Sequence, residues 1–187
     1  LGSGHSVSVL GLTTRNWSKH VLLGFLAFCW ILPWVYAVNA LAVLVWQPTM
    51  HPIFDLARES RAQPSWLLAV VSGVVLAPIA EELIFRGVFL TWFTWGSRAG
   101  SPLSPRPLPA EPVLPSPRRL WMANLLTSCL FSSLHLAQWP APLGICVLSL
   151  AMGALFQRTA SLVGVCVMHM LFNGLSTLVV FATTAGP

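Results

Sequence analysis

Residues 65–95 read SWLLAVVSGVVLAPIAEELIFRGVFLTWFTW, an apolar run with Glu81, Glu82 and Arg86 set inside it. At about 1.5 Å of rise per residue, such a helix exceeds the roughly 30 Å hydrocarbon core of a bilayer. Each ionisable side chain at membrane depth costs about 2.5–3.5 kcal/mol by insertion scales unless it is paired or faces an interior cavity. The stretch therefore predicts a spanning helix whose charged side is turned inward, against other helices.

The rest of the chain supplies those partners. It is 56% hydrophobic and 8% charged, too few charges to clothe a water-soluble globule of this length. Apolar runs at Val21–Trp46, Leu120–Leu136, Pro142–Phe156 and Ser161–Phe181 predict four further spans. The expected fold is all-α, a polytopic transmembrane helical bundle of about five spans, the third and fourth short. Residues 1–20 read as an N-terminal cytoplasmic segment and 21–187 as a single transmembrane domain, with the informative core at 65–181. The linker 47–64 mixes charges of both signs and suits a short interfacial helix. Residues 96–118 carry seven prolines and predict an extended loop.

The net charge of +5 carries no nucleic-acid signal, because the basic residues fall between spans. An N-terminus inside the cell puts Arg15, Lys19, Arg98, Arg106, Arg118, Arg119 and Arg158 on the cytoplasmic side. Only Arg58 and Arg61 then lie outside, so the expected location is an integral protein of the plasma (inner) membrane, N-terminus cytoplasmic. The chain opens on Leu1 rather than methionine, so an upstream segment is expected. Its first apolar run is longer than a signal-peptide h-region. Cys29, Cys129, Cys146 and Cys166 lie in apolar runs with no CxxC pair, which suits packing rather than a disulfide frame or zinc ribbon. The nine tryptophans suit an interfacial belt, and His5, His20 and His51 suit no chemistry.

Three polar clusters remain inside the spans. Glu82 and Arg86 are i and i+4 with the acid first, the favourable order for an ion pair. Glu81 points about 100° away around the helix and stays free, while Pro78 upstream can kink the span. His169 and Asn173 share one face of the last span, and His135 ends the third. Each histidine cluster also has a plain structural reading, as an interfacial hydrogen bond for His135 and an interhelical contact for His169 with Asn173. Together they offer catalysis. A carboxylate beside an imidazole can take a proton from water, and His169 with Asn173 can donate hydrogen bonds to a developing oxyanion. Alternatively Glu81, His135 and His169 can hold a divalent metal such as zinc, with an open fourth position. The residues themselves leave both readings open. HExxH and GxSxG are absent, and the only aspartate, Asp55, lies in a loop, so no aspartyl dyad can form.

EELIFR (Glu81–Arg86) resembles the EExxxR motif of the CPBP family, the CAAX-protease and bacteriocin-processing, Abi-like membrane proteins. FSSLH (Phe131–His135) is similar to its FxxxH, and HMLFN (His169–Asn173) to its HxxxN, in the family's order. The resemblance implies an intramembrane endopeptidase acting on a peptide or membrane-protein substrate. It implies water activation by Glu81 and His135, oxyanion binding by His169 and Asn173, and support from Glu82 and Arg86. The family carries the label metalloprotease, and the resemblance leaves open whether a divalent metal such as zinc takes part. The proline-rich loop and the small number of spans depart from the family pattern. A non-proteolytic assembly or binding subunit of a larger membrane complex is the alternative, with proton or ion transport through the Glu/His cluster as a third reading.

Overall fold

The computed structural model describes residues 16–47, 65–96 and 114–184. Residues 48–64 of the expected linker helix, 97–113 of the proline-rich loop and the first fifteen residues lie outside them. Five helical runs make up the described chain. They are α1 (Trp17–Val45), α2 (Ser65–Trp95), α3 (Pro117–Ser133), α4 (Ala141–Thr159) and α5 (Leu162–Thr184). A short 3-10 turn, Leu136–Gln138, joins α3 to α4.

The bundle is apolar outside and partly polar inside, the reverse of a water-soluble protein. On α3, Trp121, Met122, Leu125, Leu126 and Leu130 are exposed while Asn124, Thr127, Ser128 and Ser132 are buried. Only a lipid-facing exterior removes the cost of that many exposed large apolar side chains. α1, α2, α4 and α5 are each long and apolar enough to cross a membrane. α3 falls short at 17 residues, about 26 Å of helix, so four of the five expected spans stand on length and composition alone. α4 runs 19 residues, longer than its expected 142–156, because helix continues through polar Gln157 and Arg158. The protein is an all-α membrane bundle.

Packing follows small residues. α1 lies along α4 and α5, and at its crossing with α5 a Cβ on Gly24 would strike the Gly164 carbonyl oxygen. Close backbone approach of this kind is what small residues permit between spanning helices. Between α3 and α4, Gly153 leaves room for Asn124, whose Nδ2 donates to the Leu150 carbonyl at 2.9 Å. Gln157 Nε2 donates to the Leu120 carbonyl at 2.9 Å across the same interface. The tight α4–α5 turn places Ala160 in the left-handed region at φ 49°, followed by Ser161, whose Oγ accepts from Val163 N at 3.3 Å.

α3 starts where Ser116 accepts from Arg119 N at 3.3 Å with Pro117 in its first turn, a standard N-terminal pairing. Trp17, Trp46, Trp95 and Trp121 sit near helix ends as an aromatic belt requires. Trp30 and Trp34 do not: both are exposed near the middle of α1.

Candidate active site

α2 is not a uniform α-helix. Its turns widen to π-helical geometry at Ser72–Leu76 and Leu83–Leu90, on both sides of the α-helical Ala77–Glu82. Such wide turns loosen the backbone ladder and recur at functional positions in helices. Here the first one has a partner from another helix: Asn173 Nδ2 donates to the Gly73 carbonyl at 2.9 Å. That bond ties α5 to α2 about two turns before the two glutamates and leaves the second Asn173 N–H without this duty.

The two glutamates diverge as their 100° offset requires. Glu82 is wholly buried, and its Oε1 accepts from Arg86 Nη1 at 3.0 Å. Arg86 is equally buried, and its Nη2 reaches the Ser149 hydroxyl at 2.8 Å and the Ser149 carbonyl at 3.1 Å. The Phe131 ring lies 5.0 Å from the guanidinium carbon, within cation–π range. Glu81 keeps 34% of its side chain exposed, so it is the carboxylate that water can reach.

His169 links the two acids. Its Nδ1 lies 2.8 Å from Glu82 Oε1, and its Nε2 faces Glu81 Oε2 at 3.7 Å, too long for a direct hydrogen bond. An ionised carboxylate only accepts, so the pairing with Glu82 places a proton on Nδ1 and turns Nε2 toward Glu81. Phe131 packs edge-on to His169 at 5.7 Å between centroids and lies 5.2 Å from the His135 ring.

His135 departs from its expected place on a helix. α3 ends at Ser133, and His135 stands in the turn beyond it at φ −103°, ψ 12°. Its Nδ1 lies 3.1 Å from the Phe131 carbonyl, which fixes the ring and leaves Nε2 as an acceptor. The exposed helix end thus holds the histidine through its own last-turn carbonyl.

Glu81, His135, His169 and Asn173 all line one cavity of about 390 Å³, in the size range of small-ligand sites. Ile145, Leu148 and Phe172 give it apolar walls; Asn39, Gln138, Ser176 and Thr177 add polar ones. Glu82 and Arg86 lie behind it. Among the described residues no three His, Cys, Asp or Glu side chains are grouped to hold a metal ion, and that includes Glu81, His135 and His169.

Three participants escape sequence reasoning. Ser149 is an ordinary hydroxyl in α4, Asn39 the lone side-chain amide in the apolar run of α1, and the Glu82–His169 contact joins positions 87 residues apart. Only Asn39 carries a readable signal, as a carboxamide amid lipid-compatible neighbours.

No curated protein and no solved structure matches the chain. The sequence profile described as Type II CAAX prenyl endopeptidase Rce1-like does match, over residues 63–175, a span that takes in α3 and α4 whole and every residue from Glu81 to Asn173. With well over half its length covered, the chain belongs to the Rce1-like family of type II CAAX prenyl endopeptidases.

Proposed function

We propose that this membrane protein is an intramembrane endopeptidase that hydrolyses a peptide bond with water activated by Glu81 and His135. The observation that carries the reading is the cavity shared by Glu81, His135, His169 and Asn173, with Glu81 the one carboxylate among its described lining residues and 34% exposed. Glu81 accepts one proton of the water, and His135 Nε2 accepts a hydrogen bond from the other. The oxygen attacks the carbonyl carbon and the carbonyl becomes an oxyanion. The second N–H of Asn173 donates to it, as does His169 Nε2 when both ring nitrogens carry protons. Glu81 then passes its proton to the departing amine as the C–N bond breaks. Glu82, Arg86 and Ser149 touch no reacting atom; they hold the His169 ring in orientation with its Nδ1 proton on Glu82.

The family description makes a prenylated CAAX peptide the first substrate to assay. The distribution of Lys and Arg between the spans supports an N-terminus on the cytoplasmic side. Purified protein in lipid nanodiscs should release the tail tripeptide from a farnesylated CAAX peptide. Glu81→Gln should fold normally and lose cleavage. Full cleavage by that variant removes this mechanism.

A further inference from the structure

We infer that Asn39, on α1, is a substrate-binding residue of the cavity that receives a backbone N–H of the bound peptide. The inference rests on the proteolytic reading of the cavity and extends it to a helix that lies outside the family match at 63–175. Asn39 lines the cavity together with Glu81 and His169. Its Oδ1 is buried and has no hydrogen-bond partner. A buried acceptor left unmet is costly in a low-dielectric interior and is uncommon unless something else meets it.

The surroundings hold this amide in place without satisfying it. A Cβ on Gly144, in the first turn of α4, would strike Asn39 Oδ1 and lie 2.6 Å from its Nδ2 and 2.7 Å from its Cγ. The carboxamide therefore lies flat against the Gly144 backbone, in space that any other residue would fill. The torsion that turns a carboxamide about its own axis is broad and roughly two-fold, so rotation about it on peptide binding brings Oδ1 from the Gly144 backbone to the cavity. An extended peptide bound there with its scissile carbonyl over Glu81 presents N–H groups on alternate sides. It needs acceptors on the wall it follows, and the apolar Ile145 and Leu148 supply none.

The test uses a fluorogenic peptide with a farnesylated Cys-Ala-Ala-Met tail and full-length protein in nanodiscs. Asn39→Leu keeps the shape of the side chain and removes the unmet acceptor, so thermal stability should hold or rise. KM should nevertheless rise about tenfold with kcat within about twofold, the pattern of a lost binding contact. Gly144→Ala should displace the amide and raise KM similarly. Adding it to Asn39→Leu should have little further effect, because both changes remove one contact. Binding of the peptide to Glu81→Gln, with and without Asn39→Leu, reads the contact without turnover. An unchanged KM and Kd in Asn39→Leu overturns the role of Asn39 and leaves the proteolytic reading standing. Turnover by Glu81→Gln overturns the role of Glu81 in water activation, and the binding comparison then decides Asn39 by itself. A protein that neither binds nor cleaves the peptide ends both.

Discussion

Arg86 illustrates how single side chains set the conditions for the site. A guanidinium wholly removed from solvent needs an opposite charge and acceptors, and it has Glu82 Oε1, the Ser149 hydroxyl and the Ser149 carbonyl. Removing one member of such a buried pair leaves the other charge uncompensated, at a cost of about 3–5 kcal/mol. Glu82→Ala should therefore lower stability by about that amount, read by thermal unfolding in detergent. Ser149→Ala removes a hydroxyl acceptor but leaves the carbonyl, and should cost only about 1–2 kcal/mol. A Glu82→Ala protein as stable as wild type would show that Arg86 finds another partner. Loss of Glu82 should also release His169 from its tautomer, so kcat should fall even in molecules that remain folded.

Elements hold these groups at useful positions through their ends and irregular turns. The wide turns of α2 offer the Gly73 carbonyl to Asn173, and the C-terminus of α3 offers the Phe131 carbonyl to His135. The α4–α5 turn carries mild strain at Ala160, where φ is 49°. Ala160→Gly should stabilise the protein by about 1 kcal/mol, since glycine meets no Cβ clash there; a lower melting temperature would contradict that reading of the turn. What the chain discloses before folding divides along the same line. Periodic contacts within one helix are legible: Glu82 with Arg86, Glu81 turned aside, His169 above Asn173. Contacts between helices are not, because nothing local to Ser149 or Asn39 states which helix will face it. His135 was expected on a helix and stands beyond its end, since no capping residue marks where α3 stops. α3 is also shorter than its neighbours and polar on its buried side, at Asn124, Thr127, Ser128 and Ser132.

For the molecule as a whole, an apolar exterior surrounds a bundle that buries polar groups both between α3 and α4 and around one cavity. Lys19 at the start of α1, Arg118 and Arg119 at the start of α3, and Arg158 at the end of α4 fall on one side of that bundle when the N-terminus is inside. Under this orientation a cysteine placed by Arg158→Cys should resist a membrane-impermeant thiol reagent on intact cells and react after lysis. Labelling on intact cells would invert the topology. The cavity itself draws on all five helices and the turn between α3 and α4, so the groups proposed for catalysis should act as a unit rather than as separate contributors. The most direct measure of that unity is a kinetic cycle on Glu81→Gln, His135→Ala and their combination, with kcat read on the farnesylated peptide. Each single change should lower kcat by about a thousandfold, and the double variant should fall little further, as for groups that serve one step. Losses that multiply would contradict the shared water and place the two residues in independent roles.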